Sequence, residues 1–309
     1  MTQRTHIKSD DFQGGKFPDL AVLYPEEFEV FFEAAEYQAF AADKSVIVEG
    51  QEGEYLYLVK SGLLRVIKKH DGSVYEVATI GPGDIFGEAS VLFESPAGAE
   101  VKTMDSCELY VIPSQVVQDV LKANDKFMRA STQLAEKRSA ASALAVNPVF
   151  STLTMAVREV ALFNAKFLTL MDGEILIAEG DIEDNHMFIL LNGSLQVTIT
   201  HPSQKNTQIE LALLASGDEA GEITVITNMP HMATVKAQGK VRVLAIRNSC
   251  IVSWAERHTD FAYALYGLVY RKLSQTHEVL KKVLSEGEAK ILTLNTMPSL
   301  EEFKAQHKL

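Results

Sequence analysis

Two cysteines in 309 residues, Cys107 and Cys250, are too few for a disulfide framework, and they form no metal-like pair. Cys107, inside the strand-like CELYVI, reads as a small core residue. Long apolar runs are absent too. The longest, such as Met187-Phe188-Ile189-Leu190-Leu191, suit a strand and fall far short of a membrane span. Positive charge is scarce: 29 Lys and Arg stand against 41 Asp and Glu, a net −12. A chain this acidic is repelled by nucleic-acid phosphates, so direct DNA binding is not expected. The opening MTQRTHIKSDDFQGGKFPDL has no apolar core for a signal peptide, so residues 1–24 read as a flexible lead-in to a cytoplasmic protein. Catalytic signatures are missing as well. There is no P-loop, nucleophile elbow or zinc-protease motif, and the eight histidines are scattered without a close pair. A metal-dependent barrel enzyme needs His and carboxylate ligands facing inward together, so neither an enzyme, a metal nor a cofactor is expected.

What the chain does contain, it contains twice. VIVEGQEGEYLYLVKSGLLRVI (Val46 to Ile67), GDIFGE (Gly83 to Glu88) and SPAGAEVK (Ser95 to Lys102) follow one another in order. The same order returns as ILIAEGDIEDNHMFILLNGSLQVTI (Ile175 to Ile199), GDEAGE (Gly217 to Glu222) and MPHMATVK (Met229 to Lys236). Gly50 maps to Gly180 at an offset of 130, and Pro96 to Pro230 at 134. The extra length falls in the polar THPSQKNTQ, where a hairpin loop lengthens cheaply. A period this long means duplicated domains. Within each copy, short β-branched and aromatic runs between Gly, Asp and Asn turns predict antiparallel strands in a barrel or sandwich. Helical periodicity flanks them at Pro25 to Phe40, Ser114 to about Val146, Val149 to about Ala165 and Ser249 to about Leu284. The fold expected is mainly β with flanking helices: a first domain over 25–147, a second over 148–290 and a C-terminal tail over 291–309. The boundary is placed at Asn147-Pro148 because a residue before proline is pushed out of helix.

EGQEGEYLYLVKSG together with GDIFGEAS resembles the cyclic-nucleotide-binding domains of catabolite-activator-type regulators and of the protein kinase A regulatory subunit, the tandem arrangement favouring the latter. The resemblance covers about Phe28 to Lys282 in two copies. It implies two tandem jelly rolls, each holding a cyclic phosphate in a short loop and helix whose unpaired N–H groups suit an anion. It also implies a glutamate that accepts a hydrogen bond from the ribose 2′-hydroxyl. The matching residues are Phe86, Gly87, Glu88 and Ala89 in the first copy and Gly221, Glu222 and Ile223 in the second. A glutamate opening a helix also caps it and favours its dipole, so capping alone stands beside the ligand reading.

The resemblance breaks at the phosphate. The family's arginine follows the proline of this loop, where a guanidinium meets the oxyanion through two parallel charge-assisted bonds. Here the loops read Ala97-Gly98-Ala99 and His231-Met232-Ala233. His231 is mostly neutral at pH 7 and offers a single bond. Lys102 and Lys236 are not counted as substitutes, since family members that keep the arginine often carry a lysine there too. The second copy departs again at Ala220, opposite Phe86, and Glu219 adds acid beside it. Losing a partner of a buried phosphate costs about 2–5 kcal/mol, and each 1.4 kcal/mol is about tenfold in affinity. The expectation is a non-catalytic regulatory or scaffold protein binding cAMP or cGMP weakly or not at all. The alternative is a genuine cyclic-nucleotide sensor that uses His231, backbone donors or a cation from elsewhere. A helix-turn-helix is not expected in the short, acidic ILTLNTMPSLEEFKAQHKL. A homodimer is expected along the last long helix, where Tyr266, Leu273 and Leu280 recur beside Val269 and Val283, with Thr276 the one polar member. The protein partner cannot be named from the residues.

Overall fold

A computed structural model of the chain describes residues 16–70, 72–182, 185–293 and 297–307. It forms two compact units, 1–142 and 143–309. In the first, α1 (Pro25–Ala34) leads into β1 (Glu36–Phe40), β2 (Ser45–Ile47), β3 (Tyr55–Ser61), β4 (Leu64–His70), β5 (Ser73–Ile80) and β6 (Ile85–Phe86). A short helix α2 (Glu88–Phe93) precedes β7 (Glu100–Thr103) and β8 (Cys107–Pro113), and α3 (Ser114–Ala123) and α4 (Asp125–Val146) close the unit. Two four-stranded antiparallel sheets result, ordered β1-β8-β3-β6 and β2-β7-β4-β5.

The near-continuous apolar run of β8 is explained by burial on both faces. Alternation sends Cys107, Leu109 and Val111 into the barrel with Val59, Leu64 and Phe86. It sends Tyr110 and Ile112 outward under the helices, where they meet Phe31, Val117 and Phe127. Such side chains are each worth about 1.5–3 kcal/mol on burial, which fixes the register that in turn places the GDIFGE turn.

The second unit repeats the plan with α5 (Met155–Asn164), β9 (Lys166–Leu170), β10 (Ile175–Ile177), β11 (His186–His201), β12 (Gln204–Leu214), β13 (Glu219–Ala220), α6 (Glu222–Thr227) and β14 (Thr234–Arg247). Here β11 and β14 each run through what are two strands in the first unit, with register shifts between Leu190 and Ser194. The corner glycine is kept: Gly62 has φ 89° and Gly193 φ 90°. A Cβ on either would lie 2.7 Å from a carbonyl oxygen, that of Ser106 or Lys240. Then come α7 (Asn248–Arg257), α8 (Thr259–Leu280), α9 (Glu286–Leu292) and α10 (Leu300–His307). Among the described residues no helix is long and apolar enough to cross a membrane.

Several expected elements change. The helix expected over Pro25 to Phe40 stops at Ala34, because Glu36–Phe40 pairs with β8, Glu36 opposite Val111 and Phe40 opposite Cys107. The stretch from Ser114 to Val146 is two helices, broken at Asn124, whose side-chain oxygen accepts from the N–H groups of Lys126 and Phe127. The stretch from Val149 to Ala165 opens as a single 3₁₀ turn, Phe150–Thr152, before α5, and that from Ser249 to Leu284 breaks at His258. α4 ends at Val146, just before the Asn147-Pro148 pair, whereas the division between units falls earlier, between Ser142 and Ala143. The lead-in lies outside the described residues over 1–15. Beyond it Phe17 and Leu20 are core residues, because an apolar pair around a proline-started turn buries readily.

The last stretch is likewise no loose tail. Phe303 and Ala289 are fully buried, and the Tyr266 hydroxyl donates to the Pro298 carbonyl at 3.0 Å. The same packing takes up most of the stripe expected to form a homodimer seam. Val269, Leu273 and Leu280 are all 0% exposed within their own unit, and Leu280 packs with Ile199, Ile209 and Ala289. Of the other two members of the apolar stripe, Tyr266 is half-buried and Val283 is exposed.

Candidate functional site

In each unit the strand–turn–helix passage builds a cradle. Gly87 and Gly221 cap α2 and α6 with φ of 87° and 85°, and a Cβ on either would lie 2.6 Å from the carbonyl oxygen of Tyr55 or His186. Only glycine lets the chain turn so close to the neighbouring strand. The loop after the helix is then tied down by backbone pairing. The Gly50 N–H donates to the Ala97 carbonyl and the Ala97 N–H to the Gln51 carbonyl, at 2.8 and 2.7 Å. The second unit repeats this, with Gly180 donating to His231 and His231 to Asp181, at 2.8 and 3.0 Å. The cradle is therefore part of how each barrel closes.

In the first unit Phe86 is buried and stacks on Tyr57, ring centroids 4.8 Å apart and 9° from parallel. Burial, with Tyr55 and Glu54 nearby, pushes the Tyr57 hydroxyl up to about 12. Glu88 is buried, and the Arg138 guanidinium of α4 donates to it at 2.6 Å. Burial holds the Glu88 carboxyl above the usual range, against the pull of Arg138. Asp19 is a second carboxylate near this arginine, raised by burial and lowered by Arg138. Ala97 is buried, Gly98 is exposed and Ala89 and Ala99 are half-buried. A cation does reach this loop from outside it: Lys68 of β4 donates to the Gly98 carbonyl at 2.7 Å and lies 3.9 Å from Glu49. Lys102 is paired with Asp43 at 2.7 Å.

The second cradle is charged differently. Glu222 and Glu219 are both buried, and Lys272 of α8 sits between them, 3.3 Å from Glu222 and 3.0 Å from Glu219. The same ammonium donates to the Glu219 carbonyl oxygen at 2.6 Å. The Asn147 amide donates to the other Glu219 oxygen at 2.7 Å, while its own oxygen accepts from the N–H groups of Val149 and Phe150. Burial raises the Glu222 carboxyl, Lys272 opposes this and Glu219 reinforces it. Burial works against the Lys272 charge, but Glu222 and Glu219 more than offset it, so the ammonium is held above the usual lysine range. His231 is buried, with Nδ1 3.1 Å from the Thr224 hydroxyl. Ile223, Met232 and Ala233 are half-buried around it.

The structure thus brings Glu222, Thr224 and His231 onto one cradle and Phe86, Gly87, Glu88 and Ala97 onto the other. Sequence reading missed Arg138, Lys272, Asn147 and Lys68. A signal for the first two existed: Arg138 and Lys272 are separated by 134, the same offset as Pro96 and Pro230. Two surface clefts of about 350 and 370 Å³ occur in the second unit, and neither is lined by Glu222, Thr224 or His231. Among the described residues no group of three or more His, Cys, Asp or Glu side chains converges as a metal site would require.

The chain is similar to several known proteins. The family model described as cyclic nucleotide-binding domain matches residues 37–124 and again 167–258. Among relatives, the cAMP-dependent protein kinase regulatory subunit of Mycosarcoma maydis is 27% identical over 249 residues, 76% of this chain and 45% of that protein. The corresponding subunit of Yarrowia lipolytica is 27% identical over 211 residues, 66% of this chain and 49% of that one. The chain therefore spans about half the length of these relatives. Among solved structures, the regulatory domain of Toxoplasma gondii protein kinase A with cAMP aligns at a TM-score of 0.39 and 23% identity, covering 88% of this chain and all of that one.

Proposed function

Because this chain belongs to the cyclic nucleotide-binding domain family, with two tandem copies of the domain, we propose that it is a non-catalytic regulatory module in which ordinary cyclic-nucleotide recognition is lost. It would act on a protein partner. The observation that supports this is the residue at the phosphate position in each cradle, a buried methyl group at Ala97 and a buried imidazole at His231. Neither supplies the two charge-assisted donors that a phosphate diester needs. The two helix cations of the cradles are occupied. Arg138 and Lys272 are bonded to the cradle glutamates, and Lys272 to two of them. The cradle geometry persists because its glycine turn and loop pairing close the barrel, whatever is or is not bound.

Calorimetric titration of the full chain with cAMP and cGMP tests this reading. No binding tighter than roughly 100 μM, about −5.5 kcal/mol, is expected. Low-micromolar binding to either unit would overturn it. One observation favours a second reading: Lys68 brings an ammonium to the Gly98 carbonyl and could serve the first cradle in place of the missing arginine. If so, cAMP binds the first unit in the micromolar range, and Lys68→Ala abolishes that binding.

A further inference from the structure

We propose that the second unit takes a short extended peptide of a partner protein, carrying apolar side chains and a carboxylate, along the free edge of β9 and the clefts on either side of His186. The proposal deepens the reading above and rests on it only for the partner being a protein. The larger cleft, about 370 Å³, has Lys166, Leu168, Ile175, Leu176, His186 and Phe188 in its lining. The smaller, about 350 Å³, has His186, Arg247 and Asn248, and neither is lined by Glu222 or His231. Leu168 and Ile175 keep 37% and 58% exposure, so apolar side chains stand open to water around a concave surface.

The fold itself does not ask for this surface, as the duplication makes plain. Strand registers match the units residue by residue. Lys166 lies opposite Ala245 as Glu36 lies opposite Val111, and His186 opposite Arg247 as Tyr55 opposite Pro113. Ile175 faces Lys236 as Ser45 faces Lys102. The first barrel thus has Glu36, Gln38, Ser45 and Pro113 where the second has Lys166, Leu168, Ile175 and Arg247. The same trade recurs at the penultimate residue of the preceding helix, where Glu33 of α1 becomes Phe163 of α5, 89% exposed. Apolar side chains left in water gain little from folding, so a cluster of them absent from the sister barrel points to a partner.

Charge selects that partner. Lys166 and Arg247 are exposed and form no ion pair with a described residue, and among the described residues no carboxylate lines either cleft. In a chain of net −12 this is a local positive surface, complementary to an acidic segment. A second copy fits poorly, because a two-fold interface sets a patch against itself and would bring these cations together with no carboxylate between them. Backbone geometry selects an extended peptide. Among the described residues β9 pairs with β14 alone, so its other edge keeps N–H and C=O groups for one more strand. Leu168, Thr169 and Leu170 all line the larger cleft, and since neighbours on a strand point to opposite faces, the cleft wraps that edge. An added strand sets alternate apolar side chains against Leu168 and Ile175, while a carboxylate answers Lys166 or Arg247.

Selection of short random peptides displayed on phage against the immobilised full chain, followed by titration of the enriched sequence as a free fluorescein-labelled peptide, tests this. Enriched sequences should combine Leu, Ile, Val or Phe with Asp or Glu. Leu168→Gln with Ile175→Ser, and Lys166→Glu with Arg247→Glu, should each weaken binding about tenfold or more. Three of these four changes install the residue that the first barrel carries, and all lie at exposed positions, so the fold is kept, which Trp254 fluorescence checks. Raising salt to about 0.5 M should weaken wild-type binding and leave that of the Lys166→Glu, Arg247→Glu variant unmoved. No enrichment over a blank surface, enrichment of basic peptides, or binding unchanged in both double variants overturns the proposal, and the cAMP and cGMP titrations are decided separately. A wild-type dimer in sedimentation that Leu168→Gln with Ile175→Ser dissolves would assign the face to a second copy and overturn it as well.

Discussion

Replacing Lys272 by methionine tests whether the buried cluster holds α8 to its barrel. The substitution keeps much of the side-chain volume and removes only the ammonium. Glu222 and Glu219, 3% and 5% exposed, would then face each other without a cation. Breaking a fully buried pair by deleting one partner costs about 3–5 kcal/mol. The Lys272 side chain keeps 22% exposure, which puts the expected loss at the lower end, about 3 kcal/mol at pH 7.5. Urea unfolding followed by tryptophan fluorescence isolates the effect, because Trp254 is the single tryptophan and packs between Phe150 and Phe261 in the second unit. The loss should shrink as pH falls. Glu222 is raised by burial in the wild type and rises further without Lys272. A carboxyl with a raised folded-state value contributes stability fully below its unfolded value of 4.5, and loses it as pH climbs through the folded value. At pH 5 the deficit should therefore be smaller than at pH 7.5 by about 1 kcal/mol or more. The triple change Glu219→Ile, Glu222→Gln and Lys272→Met, which removes every charge, should recover most of it. A deficit below about 1 kcal/mol at pH 7.5, or one equal at both pH values, would refute the reasoning.

Leu273→Glu places an unpaired carboxylate at a fully buried position and should destabilise the second unit by about 3–5 kcal/mol in the same urea assay. A stable variant with altered sedimentation would show instead that this face meets another molecule. Ala97→Arg should raise cAMP affinity in the first unit about tenfold or more by calorimetry, if a cation is all that this cradle lacks. No gain in a folded variant would show that the loop leaves a guanidinium no room. Gly221→Ala should cost about 1–3 kcal/mol, since φ is 85° and the added methyl meets the His186 carbonyl, and an unchanged melting temperature would count against the close approach.

The duplicated barrels were legible because turn residues and alternating apolar runs recur in order, and because Gly87-Glu88 and Gly221-Glu222 repeat a local geometry that few other residues allow. The strand Glu36–Phe40 was not, because EYQAF is too short to separate period 2 from period 3.6, and its identity is decided by pairing with β8. The stripe of Tyr266, Leu273 and Leu280 was visible, but its partner was not. A face that packs on its own barrel and one that meets a second helix require the same apolar spacing. Here the cover comes from Ile199, Ile209 and residues after α8, whose apolar content looks unremarkable in sequence. The cradle's cations lie still further from view. Arg138 and Lys272 are remote from the glutamates they meet, and only the common offset within the duplication connects them.

That duplication also serves as an internal control on charge. Both copies set one helix cation against the cradle glutamate, and both bring up a second carboxylate, but from different places. In the first it is Asp19, half-buried and near Arg138, while the positions of Phe17 and Ile85 remain apolar core. In the second, Val149 replaces Asp19, and those two apolar positions become Asn147 and Glu219, hydrogen-bonded to each other at 2.7 Å. A lone glutamate in a core position would be strongly destabilising. The paired change is tolerable because Asn147 donates to it and Lys272 neutralises it. Two coordinated polar substitutions in one core are poorly explained by packing, since the first unit fills the same space with hydrophobic side chains. Their shared consequence is electrostatic: Lys272 is bonded to two carboxylates where Arg138 donates to Glu88, so the second cradle has less positive charge to offer an anion, as the proposed loss of phosphate recognition requires.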